Sequence, residues 1–364
     1  VSVAPRFHSL TIADIYREAP DAVAVRFALP AELAEHFAYR AGQYLTLRRA
    51  FGGEELRRCY SLCAPPGRPD LWIGVREEQG GRFSGWLNRE AQVGDKIDVM
   101  VPDGRFTYTV EDGCRDLLLV AAGSGITPVL GIAEAALTGD SGCYVTLIYA
   151  NRDAAHIMFR ERLNDLKDRY LNRFRLFHIL SREPSEVDLV AGRLDDKKCE
   201  SFFCEGGVAP AEGFDRAYLC GPEALMDLVA AKLEAHGLSA SAIRRELFLN
   251  ADSPAPAGRA PRPLEPTPEG AQVTVILDQR RRTFVFDPAE PSILDAARSA
   301  GMDVPFACKA GVCATCRAHL SEGEVSMARN QALDQDELDR GYILTCQSRP
   351  QSATVVIDYD RRSG

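Results

Sequence analysis

Four cysteines are spaced as ligands. Cys308, Cys313 and Cys316 stand in "CKAGVCATC", a C-x4-C-x2-C run, and Cys346 follows alone in "ILTCQSRP". Thiolates so placed serve a zinc ion, a redox disulfide or an iron–sulfur cluster. Structural zinc usually takes two C-x2-C-like pairs, and here the fourth cysteine has no near companion. A redox dithiol at Cys313 and Cys316 calls for a strand-to-helix setting, whereas "TCR" runs on into the strand-like "AHL". A C-x4-C-x2-C run closed by one distant cysteine is the ligand pattern of a [2Fe–2S] site. A loop around such a cluster needs small residues and backbone N–H groups aimed at sulfur, and Ala310, Gly311, Ala314 and Thr315 supply both. The remaining cysteines, Cys59, Cys63, Cys114, Cys143, Cys199 and Cys204 among them, show no ligand spacing and read as small buried apolar residues. The six histidines, His8, His36, His156, His178, His236 and His319, form no H-x3-H or H-E-x2-H set, so no metal or acid–base role is assigned to them.

Two further stretches suit a dinucleotide. In "AAGSGITPVL", Ala121 to Leu130, a buried strand runs through glycines into a helix, so the backbone can approach a pyrophosphate while the helix N-terminus offers unpaired N–H groups. A glycine pair after a strand also occurs in tight turns that hold no ligand. Cys220, Gly221 and Pro222, in "YLCGPEALM", end another strand at the same edge, where ligands bind in open α/β folds. Upstream, "RRCYSLC" offers Arg58, Tyr60 and Ser61: a guanidinium for phosphate, a ring to stack and a hydroxyl for a ring nitrogen, which together suit a flavin. Taken alone, R-x-Y-S is more often the surface of a strand than a site.

These residues must be held by more than one domain. The chain has 364 residues, so two or three compact units are expected. Residues 1–112 alternate with period two, as in "AVAVRFAL" and "LWIGVREE", and predict an antiparallel β-barrel or sandwich. Residues 113–249 alternate buried strands with helices and predict a parallel sheet covered on both faces. Asn250 to Gly270 holds six of the 21 prolines and reads as an extended linker. Residues 271–364 predict a compact α+β domain carrying the cysteine loop. The acidic run "QALDQDELDRG" predicts a short helix with a solvated face, or a docking surface for a basic partner. Charged residues are 26% and hydrophobic residues 46% of the chain, with no apolar run of membrane-spanning length. The start "VSVAPRFHSL" lacks the pattern of a secretory signal, so the eleven cysteines are expected in a reducing cytoplasm, where disulfides are a poor explanation for them. A net charge of −9 argues against nucleic acid as a partner.

In order along the chain, R-x-Y-S, "GGRFSGWL", "GSGITP" and "CGP" resemble the landmarks of the ferredoxin–NADP reductase superfamily, and the cysteine loop resembles a plant-type [2Fe–2S] ferredoxin of β-grasp fold. The resemblance implies that Arg58, Cys59, Tyr60 and Ser61 bind flavin with Val75 and Arg76, and that Gly81, Arg82, Phe83 and Ser84 close over an FAD pyrophosphate. It implies that Gly123, Ser124, Gly125, Ile126, Thr127 and Pro128 line the pyridine-nucleotide site, with Thr127 facing the flavin. Cys220, Gly221 and Pro222 would lie by the nicotinamide, and Glu246 and Phe248, in "RRELFLN", against the outer flavin face. Ser61, Cys220 and Glu246 are thus the candidate catalytic residues. Ser181 and Arg182 end the strand at the adenosine ribose, where a hydroxyl and a guanidinium suit the 2′-phosphate of NADPH.

The stretches "FHSLTIADI", "GEELRRCYSLC", "YANRDAAHIMFRERLNDLKDRY" and "DELDRGYILTCQ" carry the likeness over nearly the whole chain, to the reductase subunits of phenylacetyl-CoA epoxidases, which are multicomponent di-iron monooxygenases. That implies an electron path from NADPH through FAD and [2Fe–2S] to di-iron oxygenase subunits, in phenylacetate catabolism. No Glu-x-x-His pair of the di-iron kind occurs in this chain, so the oxygen-activating site belongs to a partner. The alternative is a reductase for a Rieske-type aromatic or steroid oxygenase, which uses the same order of modules. A binding module with a vestigial flavin site is a third reading, and the intact Arg58, Tyr60, Ser61 and four cluster cysteines oppose it.

Overall fold

The computed structural model describes residues 7–249 and 266–361. The expected linker falls, at residues 250–265, outside the described residues. The described chain forms two compact units, one of Ser9–Leu56 with Tyr60–Phe248 and the other chiefly of the C-terminal elements.

The described elements begin with β1 (Phe7–Ala19), β2 (Ala22–Ala28), β3 (Tyr44–Phe51), β4 (Glu54–Ser61), β5 (Asp70–Arg76), the helix α1 (Arg82–Arg89) and β6 (Lys96–Met100). The strands make one sheet in the order β4-β3-β6-β1-β2-β5. A bridge from Leu62 to Ile73 joins the two ends, which closes the sheet into an antiparallel barrel. Its core follows the period-two pattern: Leu10 and Ile12, then Val23, Val25 and Phe27, then Leu45 and Leu47, then Leu71, Ile73 and Val75 share one interior, joined by Phe83, Trp86 and Leu87 of α1.

The parallel sheet follows with β7 (Asp116–Ala122), α2 (Ile126–Gly139), β8 (Tyr144–Asn151), α3 (Arg160–Arg169), β9 (Phe174–Leu180), α4 (Asp196–Phe203), β10 (Arg216–Cys220), α5 (Glu223–Ala235) and β11 (Ile243–Glu246). The strand order is β11-β10-β7-β8-β9, with every pairing parallel. Along β7, Leu117, Leu119 and Ala121 enter one core with α2 and α3, while Leu118 and Val120 enter another with α4 and α5. A strand buried on both faces must be apolar throughout, which is why "DLLLVAA" shows no alternation. The chain order reverses between β7 and β10, and that switch point is where open α/β sheets bind ligands. Two elements are not apparent from the sequence pattern: α4, which is short and rich in charge, and β11, a four-residue edge strand.

The second unit holds β12 (Gln272–Leu277), β13 (Arg280–Val285), α6 (Ile293–Ser299), β14 (Arg317–Glu322), β15 (Val325–Met327), α7 (Gln335–Asp339), β16 (Tyr342–Leu344), β17 (Ser348–Pro350) and β18 (Thr354–Asp358). The main sheet runs β13-β12-β18-β14-β16, with β12 and β18 parallel, a β-grasp arrangement. The β12–β13 hairpin turns on Asp278 and Gln279, both at positive φ, whose N–H groups donate to the Asp360 carboxylate at 2.8 and 2.6 Å. Ser292 caps α6 by accepting from Asp295 N, and Ile293, Leu294, Ala296 and Ala297 bury its inner face.

The expected solvated face of α7 needs one correction. Glu337 is buried, closes a capping box with Asp334 and forms an ion pair with Arg317 of β14. An acidic side chain in the first helical turn answers the N–H groups there, and its second oxygen finds a guanidinium. A second correction concerns Cys59 and Cys204, which are half-buried and not enclosed in the core. Among the described residues no helix is long and apolar enough to cross a membrane.

Candidate functional site: a nucleotide crevice, a flavin wall and a cysteine loop

The crevice is built where β7 and β10 end side by side. After β7 the turn Gly123–Gly125 leads directly into α2, which starts at Ile126 and holds Thr127 and Pro128 in its first turn. Gly123 has φ +56, a conformation glycine adopts without strain. Gly125 is required for a different reason: a Cβ there would lie 2.1 Å from the carbonyl oxygen of Cys220. The glycine turn and the "CGP" strand end are therefore in backbone contact, and only a residue without a side chain permits it. Thr127 is buried, and its Oγ1 donates to the Ser124 carbonyl at 3.0 Å, which fastens the first turn of the helix to the loop.

The missed strand β11 carries Glu246 to the same place. Cys220 and Glu246 are register partners at the carboxyl ends of β10 and β11. Ser61, at the end of barrel strand β4, donates through Oγ to Glu246 Oε2 at 3.2 Å. Three residues separated widely in sequence thus meet at one point. Burial pushes the Glu246 carboxyl up to about 8, offset in part by the Ser61 hydroxyl, and burial also raises the Cys220 thiol well above its ordinary value, with the neighbouring carboxylate adding to it. Both shifts oppose charge at this point. Phe248 lies two residues beyond β11 and is exposed.

The flavin candidates line the barrel. β4 carries Arg58, Cys59, Tyr60 and Ser61, and the Tyr60 ring packs 5.9 Å from that of Phe83. Arg58 donates to the Arg57 carbonyl at 2.9 Å. Val75, buried, and Arg76 end β5. Gly81 is the N-cap of α1 and Arg82, Phe83 and Ser84 are its first turn, so "GGRFS" is a helix N-terminus with backbone N–H groups free of intrahelical partners, an anion-binding device. Arg82 pairs with Glu54 at 2.6 Å, and Ser84 Oγ accepts from Glu78 N at 3.1 Å. Ser181 and Arg182 follow β9, their N–H groups bound to the carbonyls of Asn151 and Arg152, with the Arg182 side chain in solvent. The nearby Glu183 carboxylate turns away to accept from Ala154 N at 2.7 Å.

In the β-grasp unit, Cys308, Cys316 and Cys346 are buried and Cys313 is half-buried. The loop holding the first three is forced into unusual backbone conformations, with Lys309, Gly311 and Ala314 all at positive φ. A Cβ on Gly311 would come within 3.0 Å of the Arg329 carbonyl oxygen. Ala310 N donates to Cys308 Sγ at 3.3 Å and Gln347 Nε2 to Cys346 Sγ at 3.5 Å. Cys308 interacts with Cys313 and Cys316 with Cys346, the charges of Cys308 and Cys313 also reach Cys316, and no three metal-ligating side chains among the described residues already surround a single point. Four thiols supplied by one C-x4-C-x2-C loop and one distant residue suit a [2Fe–2S] cluster better than a zinc ion, which usually takes two C-x2-C-like pairs. Each pair's second thiol, and then burial, pushes Cys308 and Cys316 well above the usual thiol range. Thiolates buried and crowded as Cys308 and Cys316 are would be stabilised by a positive centre. The residues present fit a [2Fe–2S] cluster.

Three family models match successive parts of the chain. Residues 9–108 match the family model of the oxidoreductase FAD-binding domain, 119–231 that of the oxidoreductase NAD-binding domain, and 275–351 that of the 2Fe-2S iron-sulfur cluster binding domain. The chain is 41% identical over 357 residues, 98% of each chain, to one of the subunits of the 1,2-phenylacetyl-CoA epoxidase of Escherichia coli strain K12. It is 34% identical over 354 residues, 96% of each chain, to the ferredoxin reductase component of the 3-ketosteroid-9-alpha-monooxygenase of Rhodococcus rhodochrous. Among solved structures, phthalate dioxygenase reductase, described as a modular structure for electron transfer from pyridine nucleotides to [2Fe–2S], aligns with TM-score 0.58 and 25% identity over 97% of this chain and 98% of its own. The protein is an oxidoreductase whose cofactors are FAD, NADPH and a [2Fe–2S] cluster, and it delivers electrons to an oxygenase partner. The chain belongs to the family of flavin- and [2Fe–2S]-containing reductase components of multicomponent oxygenases, alongside its relatives from the phenylacetyl-CoA epoxidase and the ketosteroid monooxygenase.

Proposed function

We propose that the oxygenase served by this chain is a di-iron epoxidase acting on the ring of phenylacetyl-CoA. The observation that carries this is the 41% identity, across 98% of both chains, to a protein named as part of that epoxidase. When bound, FAD supplies the exchange between a hydride received from NADPH and single electrons passed to the cluster. The chain's own residues do the rest. Gly123 to Pro128 cradle the pyridine dinucleotide, with Cys220, Gly221 and Pro222 beside its nicotinamide. Arg58, Cys59, Tyr60, Ser61, Val75, Arg76 and the N-terminus of α1 at Gly81 to Ser84 hold FAD, with Phe248 over the outer face. Ser61 and Glu246 hold a proton at the junction, and their 3.2 Å contact supports that reading. Ser181 and Arg182 receive the 2′-phosphate and favour NADPH over NADH. Cys308, Cys313, Cys316 and Cys346 ligate the cluster.

A second reading, service to a Rieske-type aromatic or steroid oxygenase, is favoured by the 34% identity to the ketosteroid monooxygenase component. Turnover separates the two. NADPH consumption with the purified oxygenase subunits of the epoxidase should depend on phenylacetyl-CoA and exceed that with other acyl-CoA thioesters. Efficient coupling to a Rieske oxygenase, with none to the epoxidase, would reverse the order.

A further inference from the structure

The loop between β8 and α3, residues 152–159, is fastened to the barrel by three polar contacts. Arg152 forms an ion pair with Asp21 in the β1–β2 turn. Arg76, at the end of β5, donates from Nη2 to the His156 carbonyl at 2.6 Å. Glu18, on β1, accepts from Phe159 N at 2.8 Å. These contacts end on a residue in an unusual conformation. Phe159 precedes α3 with φ 57 and ψ 30, a left-handed backbone that a bulky residue adopts only when its surroundings impose it. Its ring is buried, and it points at the one position of β5 that lacks a side chain. A Cβ on Gly74 would stand 2.7 Å from Phe159 Cζ and 2.7 Å from Thr127 Cγ2. Gly74 immediately precedes the flavin candidates Val75 and Arg76, and Thr127 belongs to the nucleotide turn.

We propose that Phe159 is a positioning residue for hydride transfer: clamped by Glu18, its ring and the Thr127 methyl seat on bare Gly74 and set the gap between the nucleotide turn and the flavin strand. The strained backbone directs the ring inward, and the Glu18 carboxylate holds the N–H that a left-handed residue would otherwise leave unpaired. Glycine at 74 is needed for closeness alone, since its φ lies outside the left-handed region. Displacing reacting groups by as little as 1 Å costs on the order of 100-fold in rate. The inference rests on the placement of nicotinamide and flavin proposed above, and the experiment separates the two.

Single-turnover reduction of the FAD-loaded full-length protein by NADPH is followed in Gly74→Ala, Gly74→Ala/Phe159→Leu and Ser61→Ala, together with the long-wavelength absorbance of the nicotinamide–flavin contact. Gly74→Ala should slow flavin reduction by about tenfold or more and diminish that absorbance, with FAD content unchanged. Adding Phe159→Leu should restore part of the rate, because the smaller side chain makes room on one side of the new methyl while the Thr127 methyl still crowds the other. Should Gly74→Ala fail to retain FAD, Glu18→Ala and Glu18→Gln give the same answer: alanine slows the step, whereas glutamine, which still accepts from Phe159 N, does not. Wild-type rates in Gly74→Ala, or no rescue by Phe159→Leu, would overturn the inference while a slow Ser61→Ala leaves the proposed site standing. If Ser61→Ala is also unaffected, the placement of the site falls with it.

Discussion

Glu246 is a carboxyl whose surroundings oppose its charge, which makes its chemistry and its stability depend on pH. Its folded value of about 8 lies above the ordinary carboxyl value of 4.5. The folded state therefore holds a proton that the unfolded chain has lost, and stability falls as pH rises from about 4.5 to about 8. Glu246→Gln should remove that slope, so the variant's melting temperature should gain on the parent at pH 8.5 relative to pH 5; parallel curves would contradict it. The same titration should slow NADPH-dependent flavin reduction as pH rises through about 8, and the variant should be flat there. At the adenosine end, Arg182→Gln removes one charge-assisted contact and should raise KM for NADPH by roughly 10-fold while leaving NADH nearly unchanged. Equal effects on both nucleotides would count against a 2′-phosphate site. Residue types at these positions are legible in the sequence as chemistry, but their meeting is not. Cys220 and Glu246 face each other only because β11 pairs with β10 in one particular register, and no local pattern announces a strand as short and charged as "IRRE".

At the scale of elements, the glycine turn after β7 is held by backbone against backbone. Gly125→Ala forces a methyl group into the Cys220 carbonyl, an overpacking that costs about 1–3 kcal/mol. The expected result is a melting temperature lower by several degrees and weaker NADPH binding, both read by thermal unfolding with and without nucleotide; an unchanged pair of curves would refute the close approach. Most elements are legible from the sequence for a physical reason. Most barrel strands alternate because one face is wet, and β7 is apolar from Leu117 to Ala122 because neither of its faces is. The helix α4 escapes that logic, since "DKKCESFF" buries only Cys199, Phe202 and Phe203 and is otherwise polar or charged. The α7 segment misleads in the opposite direction. Its charge density suggests solvent, yet Glu337 is taken inward by Arg317, a partner 20 residues away that a helical pattern does not reveal.

For the whole molecule, the order of the parts is the function: a pyridine-nucleotide sheet and flavin barrel collect two electrons, and a β-grasp cluster domain passes them on. Cys346 is the one proposed cluster ligand from outside the cysteine loop, so Cys346→Ser should leave NADPH-dependent dye reduction by the flavin intact while abolishing electron delivery to an external iron acceptor. Cofactor order is legible from motif order alone, because each cofactor imposes a local backbone requirement, glycine turns for phosphate and a small-residue loop for sulfur. The measurement that tests the account most directly is anaerobic mixing with NADPH, following flavin bleaching optically and the reduced cluster by low-temperature electron paramagnetic resonance in freeze-quenched samples. Flavin bleaching should come first and the cluster signal second, and protein stripped of FAD should show no cluster signal. A cluster reduced by NADPH at the same rate without FAD would contradict the account.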